Sequence, residues 1–284
     1  MTVTGATKVL AVLGDPVAHS LSPAMLGGWI ADHGLDAVYV PLRVDRGEAA
    51  RTFQALPGLG LHGANVTVPF KETALEAASV HSADVKTLGV ANTLAWIGGQ
   101  VHAFNTDCGG ARAAIEEAHP GWAEAAQRVL VIGAGGAARA MAFGLVRGQG
   151  PHVTFVNRTR GKAEEAAALM RGFGPTDAQD WSALPDAFAE ADVIVNASTL
   201  GMTGHATHPW PIERAKPSAI VYDAVYAPLE TDLLKAARLR GLRTVDGLGM
   251  LIHQGAMAFR IWFGVAPDTA KARARLLAIL AARA

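Results

Sequence analysis

Apolar and polar positions along the chain follow two rhythms. In the first hundred residues, short apolar runs alternate with amphipathic stretches of unequal length. Lys8-Val-Leu-Ala-Val-Leu-Gly14 reads as a buried strand closed by Gly14-Asp15-Pro16, and Ala24 to His33 as a helix. Ser22 followed by Pro23 is the pairing expected of a helix cap and first helical residue. Ala37 to Arg43 predicts a second strand and Arg46 to Leu56 a second helix. Asn65-Val-Thr-Val alternates as a strand, and Pro69 suits the first position of a helix running to Ala78. Leu88 to Trp96 and Val101 to Asp107 read as strands around a Gly98-Gly99 hairpin turn.

From about Gly109 the pattern becomes a regular strand–helix alternation. Helix Ala111 to Ala118 precedes the apolar run Val129-Leu-Val-Ile132, followed by helix Ala138 to Arg147, strand His152 to Asn157 and helix Gly161 to Arg171. Strands Asp192 to Ala197 and Ile220 to Asp223, helix Thr231 to Arg240 and strand Arg243 to Val245 continue it. Such alternation predicts a doubly wound parallel sheet with right-handed crossovers. With 284 residues, the chain is long enough for two domains.

Charge and cysteine content narrow the class. Lys+Arg and Asp+Glu stand at 25 each, so no global field favours nucleic acid or an anionic membrane. Cys108 is the single cysteine, which excludes an intramolecular disulfide and fits a reducing, cytoplasmic setting. The first residues show neither a basic segment nor a long apolar one, and no apolar run approaches a membrane span. No metal is expected, and oligomeric state is left open, a homodimer included.

The run Val129 to Ile132 enters Gly133-Ala134-Gly135-Gly136-Ala137-Ala138-Arg139, as a buried strand delivers a nucleotide's phosphates to a helix N-terminus. Gly133 allows the tight turn, Gly135 lets backbone N–H groups approach a pyrophosphate, and Ala138 keeps helix and strand close. The next strand decides the cofactor. An NAD site places an acid about 20 residues past the glycines, to accept from the ribose 2′-OH. Here Asn157-Arg158-Thr159-Arg160-Gly161-Lys162 offers three cations and no carboxylate before Glu164. Cations are unfavourable at a helix start unless an anion is due there, so the run suits a 2′-phosphate and hence NADP. Asn196-Ala-Ser198-Thr199-Leu200-Gly201-Met202 follows the fourth strand, at the edge where ligands of such sheets bind.

Candidate chemistry clusters in the first half. Ser20 and Ser22, at alternate positions before a helix, can converge on a small anion such as a carboxylate, although Ser22 alone is explained as a cap. Lys71 falls in the expected helix's first turn; a surface role is the commoner fate of a lysine, but so unfavourable a place for a cation raises the case for proton transfer. Asn92 lies in an apolar stretch and needs partners if buried. Asp107 either caps a helix starting near Gly110 or holds the Lys71 ammonium.

Together these motifs resemble the shikimate dehydrogenase family over essentially the whole chain. The matches are Gly14-Asp-Pro-Val-Ala-His-Ser-Leu-Ser-Pro23, Asn65-Val-Thr-Val-Pro-Phe-Lys71, Ala91-Asn92-Thr93-Leu94, Asn105-Thr-Asp107, Gly133 to Arg139, Asn157-Arg-Thr159, Tyr222 to Tyr226, and Asp246-Gly-Leu-Gly-Met-Leu251 through Gln254. The resemblance implies an α/β fold of two domains with the active site in the cleft between them. A discontinuous substrate domain would span 1–108 and 247–284, and a Rossmann-like NADP-binding domain 109–246. It also implies an amphipathic helix from Leu248 to Gly264 and another from Ala270 to Ala282. By the same resemblance, Ser20 and Ser22 hold the shikimate carboxylate with Tyr226 nearby, and Thr67, Asn92, Asp107 and Gln254 bind ring hydroxyls. Lys71 and Asp107 form the catalytic pair. Asn157, Arg158, Thr159 and Lys162 match the clamp for the 2′-phosphate; Met202, Gly247 and Met250 match positions beside the nicotinamide, with Ser198 assigned to the cofactor. Ala103, Cys108 and Asp232 depart from the family's usual residues without removing a polar group that the chemistry needs.

The implied reaction is NADP-dependent interconversion of 3-dehydroshikimate and shikimate, a step toward chorismate and the aromatic amino acids. An NAD-dependent quinate/shikimate dehydrogenase is disfavoured by the basic run and the paired serines. A catalytically silent NADP-binding regulator would tolerate loss of Lys71 or Asp107, yet both are present. A methyltransferase would have no use for the basic run.

Overall fold

The computed structural model describes residues 2–146 and 150–283. The expected helix end at Arg147 lies outside the described residues. The chain divides into two compact units, Met1–Thr106 with Gln254–Ala284, and Asp107–His253. Each holds one six-stranded sheet among the described residues.

In the first unit the elements run β1 (Lys8–Gly14), α1 (Ser22–Asp32), β2 (Ala37–Arg43), α2 (Ala49–Ala55), β3 (Gly63–Val66), β4 (Val80–His81), α3 (Ala83–Leu88), β5 (Thr93–Ile97) and β6 (Gln100–Phe104). The sheet order is β2-β1-β3-β5-β6-β4, with β1, β2 and β3 parallel and β5 antiparallel to both neighbours. The carboxyl ends of β1, β3 and β6 and the amino end of β5 therefore share one sheet edge. Gly98 and Gly99 both have positive φ (58° and 79°) and make the expected hairpin turn between β5 and β6.

Helix α4 (Thr106–Ala118) leads into the second unit, which continues α5 (Trp122–Ala125), β7 (Arg128–Ile132), α6 (Gly136–Leu145), β8 (His152–Val156), α7 (Arg160–Met170), β9 (Thr176–Gln179), α8 (Leu184–Glu190), β10 (Val193–Asn196), β11 (Ile220–Asp223), α9 (Asp232–Leu239) and β12 (Arg243–Val245). Every strand pair is parallel, in the order β12-β11-β10-β7-β8-β9. This is the doubly wound order whose direction reverses between β7 and β10, where such sheets bind ligands. Helix α10 (Gly247–Phe263) starts in the second unit, its later turns belong to the first, and α11 (Thr269–Arg283) ends the chain.

These last segments close the first unit's core. Trp29 and Phe259 are fully buried with ring centroids 5.7 Å apart, edge to face. Gly255 lets α10 lie against α1, since a Cβ there would come within 2.4 Å of Met25 Cε. Gly63 does the same under the Trp262 ring, whose Nε1 donates to Leu94 O at 2.9 Å. Trp29 Nε1 donates to Asp268 O at 2.9 Å, and Lys271 and Arg275 of α11 pair with Asp32 of α1. In the second unit, α6 approaches the start of α4 so closely that a Cβ on Gly144 would sit 2.0 Å from Cys108 O.

Several expectations are corrected. No helix starts at Pro69: Thr67 to Phe70 is a turn closed by the Phe70 N–H bonding Thr67 O, and a 3-10 helix begins only at Thr73. Leu88 ends a helix, and Gly89, at φ +64°, turns the chain toward β5. Helix α4 begins at Thr106, so Asp107 lies in its first turn and caps nothing near Gly110. The β9 strand and α8 helix fall in a stretch that carried no expected element; β9 is an edge strand, Thr-Asp-Ala-Gln, half-buried throughout and without an apolar face.

Candidate active site

The sheet edge of the first unit gathers the predicted substrate residues. Ser20 and Ser22 follow β1, Thr67 and Lys71 follow β3, Asn92 immediately precedes β5, and Thr106 lies just past β6. Ser22 is not the cap: Leu21 is, and Ser22 is the buried first helical residue of α1. The hydrogen bond at this helix start comes from Ser20, whose Oγ accepts from Ser22 N at 3.2 Å. Gly14 makes room for Thr67, whose Cγ2 would lie 2.4 Å from a Cβ there. Thr67 N donates to Leu13 O, and Ala91 N to Lys71 O at 2.8 Å, which fixes the Lys71 backbone one residue from Asn92. Lys71 thus projects from a turn, and the helix-dipole argument for it does not apply.

Asn92 meets the need for partners in full. Its Oδ1 accepts from Thr106 N at 2.8 Å and from Thr93 Oγ1 at 3.0 Å; its Nδ2 donates to Thr106 Oγ1 at 2.9 Å and to Gln254 Oε1 at 3.3 Å. Asn65 Nδ2 donates to Asn92 O and Thr93 Oγ1, and Tyr39 Oη donates to Asn65 Oδ1 at 2.7 Å. Burial pushes the Tyr39 phenol well above its ordinary range, against an opposing hydrogen bond to Ser22. Tyr39, Asn65, Thr93 and Thr106 were missed by sequence reasoning. Polar residues at the ends of apolar strands were the available signal, because a buried amide or hydroxyl must be satisfied. Asp107, 5% exposed, directly follows Thr106.

In the second unit, Gly133 has φ +112°, and a Cβ there would press within 3.1 Å of Ala197 O. The glycine is required because the loop after β10 crosses it at the switch point. A Cβ on Gly135, the cap of α6, would meet nothing within 4 Å. The first turn of α6, after Ala134, holds the N–H groups of Gly136 and Ala137, which have no partner within the helix, as an anion site at a helix start requires. Asn157 Nδ2 donates to Thr159 O at 2.9 Å and shapes the next turn. Arg158 and Lys162 are exposed, and among the described residues neither forms an ion pair. Arg160 differs: it pairs with Glu164 at 2.8 Å and Asp180 at 2.6 Å, so two of the three cations remain for a phosphate.

The loops after β10 and β11 are set by a polar cluster that sequence reasoning also missed. Asn196 Oδ1 accepts from Ser198 N and Oγ, and its Nδ2 donates to Leu200 O and Asp223 Oδ1. Asp223 also accepts from Val225 N at 3.0 Å and Thr231 Oγ1 at 2.6 Å, and Thr231 caps α9. Burial raises the Asp223 carboxyl to about 6, against the lowering effect of the hydrogen bonds. The cluster fixes the loop carrying Met202 and the one carrying Tyr226. Gly247 admits the Ala224 carbonyl, 2.3 Å from where a Cβ would be, at the start of the helix that carries Met250.

A switch-point glycine turn, a basic second-strand end and a separate polar site define a dinucleotide-binding α/β oxidoreductase. Family models agree in each part: the shikimate dehydrogenase substrate binding domain matches 12–94, shikimate/quinate 5-dehydrogenase 116–206, and the shikimate 5′-dehydrogenase C-terminal domain 247–277. The NADP(+) shikimate dehydrogenase of Rhodospirillum rubrum is 42% identical over 269 residues, covering 94% of this chain and 95% of its own. A crystal structure of a shikimate dehydrogenase in complex with NADP+ has a TM-score of 0.88 at 33% identity, covering 98% of both chains. A quinate dehydrogenase from Corynebacterium glutamicum in complex with NAD has a TM-score of 0.87 at 30% identity, covering 96% of this chain and 99% of its own. The chain belongs to the shikimate dehydrogenase family.

Proposed function

We propose that Lys71 and Asp107 carry the proton transfer in this enzyme's reaction, the NADP-dependent interconversion of 3-dehydroshikimate and shikimate. The enzyme is an oxidoreductase acting on a CH–OH group, and its cofactor is NADP. When bound, NADP supplies the hydride chemistry. Gly133 to Ala137 would hold its pyrophosphate, Arg158 and Lys162, with Asn157 and Thr159, its 2′-phosphate, and Ser198, Met202, Gly247 and Met250 would border its nicotinamide end.

Ser20 and Ser22 bind the substrate carboxylate with Tyr226, and Thr67, Asn92 and Gln254 hold ring hydroxyls. Lys71 protonates the developing alkoxide during reduction and takes the proton back in the reverse direction, with Asp107 orienting its ammonium. The observation that carries this reading is the buried network around Asn92, which ties Thr106 and Gln254 to the strand beside Lys71. A lone cysteine, buried and unbridged, supports a cytoplasmic setting; among the described residues no helix is long and apolar enough to cross a membrane.

An absorbance assay at about 340 nm, the NADPH band followed in dehydrogenase turnover, tests the reading with shikimate or quinate and either cofactor. NADP with shikimate is expected to give the highest kcat/KM; a preference for NAD would overturn the reading of Arg158 and Lys162. Lys71→Ala is expected to lower kcat at least about 100-fold with little change in KM for NADP. An unchanged kcat would remove Lys71 from the chemistry.

A further inference from the structure

Donor chemistry orients the amides of the network behind the substrate residues. Asn65 Nδ2 lies 3.2 Å from the Asn92 carbonyl oxygen, which only accepts, so this end of the amide is the donor. The other end, Oδ1, only accepts, and the Tyr39 hydroxyl must therefore give it its single proton across 2.7 Å. Thr93 Oγ1 receives from Asn65 at 3.1 Å and stands 3.0 Å from Asn92 Oδ1, to which it can donate, and 3.1 Å from Thr106 Oγ1. Asn92 then donates through Nδ2 to Gln254 Oε1, which Thr106 Oγ1 also approaches at 3.5 Å. The Gln254 oxygen is thus an acceptor within the network.

We infer that Tyr39 is a positioning residue for the substrate, acting through Asn65, Thr93 and Asn92 to hold the Gln254 amide in place. Among the described residues, Tyr39 is the donor that Asn65 Oδ1 receives, and Asn65 is 6% exposed. Without that donor a buried acceptor is orphaned, and the amide must turn or shift to recover a partner. Either movement breaks its bonds to Asn92 O and Thr93 Oγ1, and the disturbance passes to Asn92 and Gln254. Burial keeps the phenol neutral, and it stays a donor throughout the working pH range.

The inference rests on the proposed role of Gln254, and a double-mutant cycle on KM for shikimate separates the two. Tyr39→Phe is expected to raise KM roughly 5- to 20-fold, with kcat and KM for NADP within about twofold, as loss of one buried hydrogen bond predicts. Gln254→Ala is expected to raise it at least as much, and the double variant is expected to exceed Gln254→Ala by less than about twofold. Multiplicative effects would overturn the inference, since Tyr39 would then act independently of Gln254. No change in KM with Gln254→Ala would instead refute the site assignment. Thr93→Val keeps the side chain's shape and removes the hydroxyl that joins the Asn65 and Asn92 side chains, leaving only the bond from Asn65 Nδ2 to Asn92 O. If Tyr39→Phe does not fold, Thr93→Val should show the same coupling to Gln254→Ala, and multiplicative effects there would be equally decisive.

Discussion

Replacing Asp223 with asparagine changes one oxygen of a fully buried side chain and removes its capacity for charge. In the folded chain its carboxyl ionises at about 6, against 3.8 for an ordinary aspartate. At about 1.4 kcal/mol per tenfold change in proton affinity, this difference amounts to about 3 kcal/mol. The folded state holds the proton more tightly, so the unfolded chain ionises first as pH rises. Asp223 therefore costs nothing below about pH 4, progressively destabilises the fold between about pH 4 and 6, and its cost is constant above that. Asparagine retains an acceptor for Val225 N and Asn196 Nδ2, and its amide donates to Thr231 Oγ1 where the carboxylate accepted. Urea unfolding followed by tryptophan fluorescence, run on both proteins from pH 4 to 7.5, gives the difference in stability at each pH. Histidines with lowered affinity (His62, His119, His208) and paired acids (Asp15, Asp32, Asp192) are common to both proteins and cancel in that difference. Asp223→Asn is expected to gain about 3 kcal/mol relative to the native chain between pH 4 and 7. A difference that stays flat across this range would refute the argument that Asp223 is buried against its charge.

The basic run and the approach of α6 to α4 give two more predictions. Arg158→Glu is expected to raise KM for NADP at least about tenfold while leaving KM for NAD nearly unchanged, because in the proposed site it would remove a charge-assisted contact to a group only NADP carries; parallel kinetics with the two cofactors check it. Gly144→Ala is expected to destabilise the fold by about 1–3 kcal/mol, since the added methyl meets a backbone carbonyl and not a flexible side chain. A lowered melting temperature with near-native KM for shikimate is the expected result.

The second unit was legible because its parallel strands are buried on both faces and read as unbroken apolar runs. Val129 to Ile132 and Ile220 to Asp223 could be placed to within a residue, and Gly133 is required where the turn was expected. Lys71 shows the limit of local reading. Pro69 fits a helix start by propensity, but backbone bonds from Lys71 O to Ala91 and from Thr67 N to Leu13 hold the segment as a turn. Such bonds link residues far apart in sequence. The same holds for Asp223, which reads as the polar end of a strand and gains its meaning only when Asn196 and Thr231 arrive beside it. Arg160 counts as a phosphate cation in the sequence, and only the fold brings Asp180 to it.

The first unit's split along the chain bears on its synthesis. Its core depends on Phe259, Trp262 and Leu276, yet the strands they cover leave the ribosome some 150 residues earlier. The unit spanning Asp107–His253 is contiguous and can fold as soon as it emerges. The earlier segment must wait, with Trp29, Met25 and the underside of Gly63 uncovered, until the last two helices are translated. The nascent chain thus completes its second unit before its first, and its longest exposure to misassembly falls on the unit that was begun first.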